Sequence, residues 1–89
     1  METENSLDAF VMQMKVVLHR HEKLKGNSWS DCDIQFLENK LKEEFEEYED
    51  ANRHSAKAEE LVDIANICMM LYNRHIEVWA ERAGKFMRK

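Results

Sequence analysis

Apolar residues recur along this chain at steps of three and four, in three runs separated by two short polar breaks. Leu7, Phe10, Met14, Val17, Leu18, His21 and Leu24 form one stripe, which predicts an amphipathic helix from about Leu7 to Leu24 with Asn5 or Ser6 as its cap. Ile34, Leu37, Leu41, Phe45 and Tyr48 form a second stripe. It predicts a helix from about Cys32 to Asn52, capped by Ser30 or Asp31. A third helix, capped by Ser55, continues to Ala83, and Gly84 stands where a stop is expected. The breaks are Lys25-Gly26-Asn27-Ser28-Trp29-Ser30 and the short Arg53-His54-Ser55. The pattern therefore predicts one all-α domain over residues 1–89, a helical hairpin plus an N-terminal helix. The third helix would be about 28 residues, or roughly 42 Å, against nearer 30 Å for the other two. Its overhang carries Tyr72, Ile76 and Trp79, a stripe that a second subunit would cover.

Composition narrows the class. Apolar residues are 44% and charged residues 35%, which excludes a disordered tail. Proline is absent and glycine occurs twice, too few for the turns of a β-rich fold. Two cysteines without a CxxC spacing make neither a disulfide scaffold nor a zinc site, so reduced thiols in a cytoplasmic compartment are expected. Met1 to Ser6 does not read as a signal peptide, and the uncharged stretch Ile64 to Tyr72 is far short of the roughly 20 residues of a membrane span. With 18 acidic against 13 basic residues, the net charge is −5, the wrong sign for a nucleic-acid binder.

The acids are unevenly placed, six of the eight residues from Glu43 to Asp50 being Glu or Asp. Such a cluster repels itself unless a positive charge sits among the carboxylates. At about 100° per residue, Glu44 falls inside the face made by Leu37, Leu41 and Tyr48, and Glu47 falls on its edge. An ionised Glu there is costly unless paired or metal-bound, the plain alternative being a side chain that snorkels at the edge of a surface helix. From Leu61 to Tyr72 the strongly polar residues are Asp63 and Asn66, set in an otherwise apolar run, with Glu60 one turn earlier. A salt bridge from Asp63 to Lys40 or Arg74 competes with a ligand role.

The helical hairpin then brings the acids together. About a turn centred near Arg53 and His54, Glu47 mirrors Glu60 at about 6.5 positions and Glu44 mirrors Asp63 at about 9.5. Two facing pairs result, roughly 4.5 Å apart along the helices, close to the about 3.5–4 Å of two-metal sites. Hard divalent cations, Mg²⁺ or Mn²⁺, would relieve the repulsion, and the lack of His and Cys in the cluster argues against zinc.

Glu43-Glu44-Phe45-Glu46-Glu47, twelve residues, then Glu60-Leu61-Val62-Asp63 resembles the EExxE…ExxD signature of the MazG-like all-α nucleoside triphosphate pyrophosphohydrolases. Asn66, three residues after the Asp, and the segments from Lys25 to Trp29 and Asp63 to Met70 extend the likeness to short single-domain members. The resemblance implies Mg²⁺-dependent hydrolysis of a nucleoside triphosphate to the monophosphate and pyrophosphate. It places the metal ligands, and so the catalytic set, on Glu44, Glu47, Glu60 and Asp63. It also implies homodimers or homotetramers built on four-helix cores, with sites near subunit boundaries. Larger members carry a clear basic residue for the triphosphate tail downstream of ExxD; here Arg74, Arg82 and Lys85 all remain candidates.

Around this set, Lys25 would hold phosphate, Trp29 would stack on the base and Asn66 would bond the nucleotide or orient Asp63. Each has a structural alternative: Trp29 as a hydrophobic staple on the second helix, Asn66 as a bridge between helices. Glu43 reads as a supporting or a solvated group. His19, His21, His54 and His75 read as surface or edge residues, Met69 and Met70 as core filler, and Cys32 and Cys68 as small hydrophobes. Two other functions stay open: a non-catalytic helical interaction module, and a related all-α phosphohydrolase acting on dUTP or phosphoribosyl-ATP.

Overall fold

The computed structural model describes residues 2–25 and 33–84, with side chains described for 2–20 and 33–84. It consists of three α-helices, α1 (Thr3–Lys25), α2 (Ile34–Asp50) and α3 (His54–Ala83), with no strand among the described residues. No helix of the described residues is long and apolar enough to cross a membrane.

The ends differ from the pattern by a few residues, for local reasons. α1 starts at Thr3 because the Ser6 N–H already donates to the Glu2 carbonyl at 3.0 Å, and Glu4 sets a negative charge in the first turn, where the helix dipole favours it. Asn5 and Ser6 are thus inside the helix and are not its caps. α2 begins after Asp33, whose backbone is extended and whose side chain makes no capping bond; Ser30, Asp31 and Cys32 lie outside the described residues. It ends at Asp50, two residues before the expected Asn52, as Ala51 turns to extended backbone (φ −68°, ψ 139°). The Ala51 N–H closes the end on the carbonyls of Glu47 (3.0 Å) and Tyr48 (3.3 Å).

The connection is short, residues 51–53, so α3 begins at His54 and the expected cap Ser55 is its second residue. Arg53 takes the capping position with extended backbone, and its carbonyl accepts from the Lys57 N–H at 2.9 Å. Lys57 then fastens the hairpin. Its Nζ donates to the Tyr48 carbonyl at 2.7 Å and lies 4.4 Å from the centre of the Tyr48 ring. A cation at the carbonyl end of α2 adds a second donor to a carbonyl that the Ala51 N–H reaches only at 3.3 Å, complements the dipole and meets the face of an aromatic ring.

α2 and α3 bury Leu37 and Ile67 between them, and with these the polar Glu44 and Asn66. The expected α2 face is corrected at one position: Phe45 is 51% exposed and stacks on Tyr48, ring centres 6.2 Å apart, while Glu44 is buried. At about 80° from Leu37, Phe45 lies further off the face than Glu44 does. α1 packs on α3, where Asn66 Nδ2 donates to the Met14 carbonyl at 3.3 Å. Among the described residues of the α1 stripe, Met14, Val17 and Leu18 are half-buried, whereas Leu7 and Phe10 are exposed.

The molecule measures 48 × 31 × 25 Å, its long dimension close to the roughly 45 Å of a 30-residue helix. The apolar stripe expected on the far half of α3 is open to solvent in the single chain: Tyr72 and Trp79 are each more than 60% exposed, and Ile76 39%. Gly84 is the stop, with φ 94°. With so few apolar side chains fully enclosed, each one matters. Leu37→Ala is expected to cost about 2–4 kcal/mol in urea unfolding and Phe45→Ala less than about 1 kcal/mol. Equal losses would show that the hairpin core has been misplaced.

Candidate metal centre

Glu44 continues the series Leu37, Leu41, Tyr48 at helical spacing, so the fold that buries those side chains carries its carboxyl inward. It is 8% exposed, and its Oε1 has no hydrogen-bond partner among the described residues. Across the hairpin the half-buried Glu60 also presents an unpartnered Oε1. One oxygen from each of Glu44, Glu47 and Glu60 lies within 4.8 Å of the other two.

The register differs from the expected one, and the turn is the reason. The 51–53 connection is centred on Asn52, so Glu44 and Glu60 are mirror partners, each eight residues away. Glu60 therefore faces Glu44, with one of its oxygens also within 4.8 Å of one from Glu47, in place of two separate facing pairs. Asp63 stands beside this triad and close enough to repel both Glu44 and Glu60, but it is not one of the three that converge. It also lines a cleft of about 260 Å³ between α1 and α3, together with Gln13, Val17, Arg20, Glu59 and Val62.

The electrostatics follow from crowding acids where water is excluded. The Glu44 carboxyl is pushed up to about 7 from an ordinary value of 4.5, first by burial, then by the hydrogen bond it donates to Glu60, then by repulsion from Glu47, Asp63 and Glu60. Glu60 is raised too, by burial foremost and by repulsion from Glu47 and Asp63, while the proton that Glu44 donates to it pulls the other way. Each carboxyl disfavours the charge of the other, and both are raised.

This donor set fits a hard divalent cation. It is all oxygen, the buried Oε1 atoms of Glu44 and Glu60 lack partners among the described residues, and one oxygen from each of the three acids lies within 4.8 Å of the others. Glu44, Glu47 and Glu60 are placed to hold it, with Asp63 to one side.

The competing roles resolve as follows. Lys40 is 3.6 Å from Glu43, an exposed pair one turn apart on α2, so Glu43 is on the solvated face. Arg74 pairs with Glu77, and eleven residues of continuous helix, roughly 16 Å, separate it from Asp63 within one chain. Asn66 is 4% exposed and bridges α3 to α1, with its Oδ1 unpartnered among the described residues. His19, His54 and His75 are exposed and Met69 and Met70 half-buried. Cys68 is an exposed free thiol and does not pack as a small core residue. Lys25 closes α1, but its side chain, His21, Trp29 and Lys85 lie outside the described residues.

The α1 wall of the cleft went unnoticed in the sequence. Gln13, Val17 and Arg20 do share a helical face at steps of four and three, but with a single apolar member they leave no hydrophobic signal. Compared with known proteins, the chain matches no family model, no curated protein and no solved structure. The chemistry of the centre therefore rests on its own geometry.

A raised carboxyl favours the fold while it is protonated. Between about pH 4.5 and 7 the folded state holds a proton at Glu44 that the unfolded chain has released, so stability falls as pH rises through that window. The metal-free protein is expected to melt at a lower temperature at pH 8 than at pH 5.5. Glu44→Gln should flatten that slope, and millimolar Mn²⁺ should raise the wild-type melting temperature at pH 8 but not at pH 5. A wild-type slope that survives Glu44→Gln would place the buried proton elsewhere.

Proposed function

We propose that this chain is a Mg²⁺-dependent nucleoside triphosphate pyrophosphohydrolase of the MazG-like all-α kind, releasing pyrophosphate and a nucleoside monophosphate. The supporting observation is the meeting of Glu44, Glu47 and Glu60 across a helical hairpin, with the buried Oε1 atoms of Glu44 and Glu60 unpartnered among the described residues. The five acids of the EExxE…ExxD pattern are these three together with Glu43 and Asp63.

Mg²⁺, or Mn²⁺ in its place, would supply a charge that polarises phosphoryl oxygens and acidifies a bound water. The chain's own part is to hold and orient. Glu44 and Glu60 would hold the cation through their carboxylate oxygens, and the raised Glu44 would give up its proton to do so. Glu47 completes the set from the same helix as Glu44, and Asp63 joins it from the cleft side. Asn66 fixes α1 against α3 at the end of the cleft and so holds that wall in place. Lys25 and Trp29 remain proposed substrate contacts.

The working unit in this reading is a homodimer or homotetramer in which the open Tyr72, Ile76 and Trp79 face completes a four-helix core. Their exposure supports it, since an apolar stripe of this length is rarely left in water. The free Cys68 thiol agrees with a reducing, cytoplasm-like compartment. The same apolar stripe favours a second reading, a helical module that only binds other helices.

Release of pyrophosphate from a panel of nucleoside triphosphates with Mg²⁺ separates the two. Wild type should turn over at least one of them, and Glu44→Gln or Asp63→Asn should lose on the order of a hundredfold or more in kcat/KM. An inert wild type, or variants that match it, leaves the binding module standing. In sedimentation equilibrium at micromolar concentration the wild type should be a dimer or tetramer, and Trp79→Asp should shift it toward monomer. A monomeric wild type would refute the shared core.

A further inference from the structure

A substrate with a polyphosphate tail needs cations beyond those held by carboxylates, and the helices restrict where these can come from. Lys40 is next to Glu43 and Lys57 is committed to the Tyr48 carbonyl and ring. Arg74 and Arg82 lie roughly 16 and 28 Å from Asp63 along α3, beyond reach of the same chain's centre. Arg20 is different. It shares the 260 Å³ cleft with Asp63, is exposed to solvent, and forms no ion pair with any described residue.

We infer that the cleft between α1 and α3 seats the phosphate tail of the substrate, with the Arg20 guanidinium as its cationic contact and Gln13 at the neutral, nucleoside end. The inference rests on the reading of the carboxylates as a divalent-metal site and goes beyond it in naming a phosphate-binding residue besides Lys25. Three features carry it. Asp63 belongs both to the surroundings of the carboxylate triad and to the cleft wall, so the two sites are continuous. Arg20 lines the cleft together with Glu59 and Asp63, which lie one turn of α3 apart on either side of Glu60 in sequence. Gln13 lies seven residues before Arg20 on the same face of α1, roughly 10 Å away, next to the residue whose carbonyl Asn66 holds. A guanidinium presents a planar fork that pairs two phosphate oxygens at once. Glu59 lines the same cleft and would repel a bare phosphate, so the cleft should accept one only with a divalent cation in place.

The test is titration calorimetry of the full chain at pH 8, first with Mn²⁺ alone and then with inorganic pyrophosphate in saturating Mn²⁺. Wild type should bind both. Arg20→Ala, an exposed position whose fold is checked by circular dichroism, should keep its Mn²⁺ affinity within about twofold and weaken pyrophosphate about tenfold or more. Arg20→Lys should recover part of that loss, and Gln13→Ala should leave pyrophosphate unchanged because that ligand has no nucleoside. Mn²⁺ binding with equal pyrophosphate affinity in wild type and Arg20→Ala overturns this inference and leaves the metal centre intact. Pyrophosphate binding by wild type without Mn²⁺ overturns it as well. Absence of Mn²⁺ binding in wild type overturns the metal centre itself, and the inference with it.

Discussion

The placement of one carboxyl, that of Glu44, in the seam between α2 and α3 constrains the rest of this molecule. An acid at a core position is expensive in water-free surroundings, and a second acid opposite it makes the cost higher. The single chain meets the cost by leaving Glu44 protonated and letting it donate to Glu60. That arrangement holds at the acidic end of the range and weakens toward neutral pH. In the proposed metal centre a divalent cation would do the same work with more charge, on oxygens within 4.8 Å of one another. The apolar part of the seam, Leu37 and Ile67, is small, so a polar defect beside it is not diluted by a large core.

The hairpin is built to keep that seam in register. The three-residue connection leaves no slack, and Lys57 pins the end of α2 from the first turn of α3. Shifting the pairing by one residue would rotate Glu44 and Glu60 apart, since neighbouring helical positions differ by about 100°. α1 depends on a different contact, the Asn66 amide reaching the Met14 carbonyl from a buried position. Breaking it would leave a buried amide without a partner and free the wall that carries Gln13 and Arg20. The catalytic reading therefore uses all three helices, each held by a polar contact at a defined level.

The apolar inventory runs the other way. Leu7, Phe10, Tyr72, Ile76 and Trp79 are exposed, while the described core encloses few side chains. A long helix whose neighbours stop short presents its far half to whatever can cover it. In the proposed assembly that cover is a second copy.

Three-four periodicity alone determined that this chain is all helical, where its breaks fall within a few residues, and that Glu44 points into the apolar face. Those are properties of one helix at a time, fixed by about 100° per residue and by which side chains water rejects. The approach of Glu44, Glu47 and Glu60 was legible too, because a short turn between two helices makes mirror positions neighbours. Which acids face each other was not. That depends on the turn's centre to within a residue, and the turn was settled by Ala51 leaving the helix early and by the Lys57 contact. The ejection of Phe45, the covered and uncovered halves of α1, and the cleft that joins Arg20 to Asp63 were decided by tertiary packing. Each is set by the distance between residues far apart in sequence, which no local pattern records.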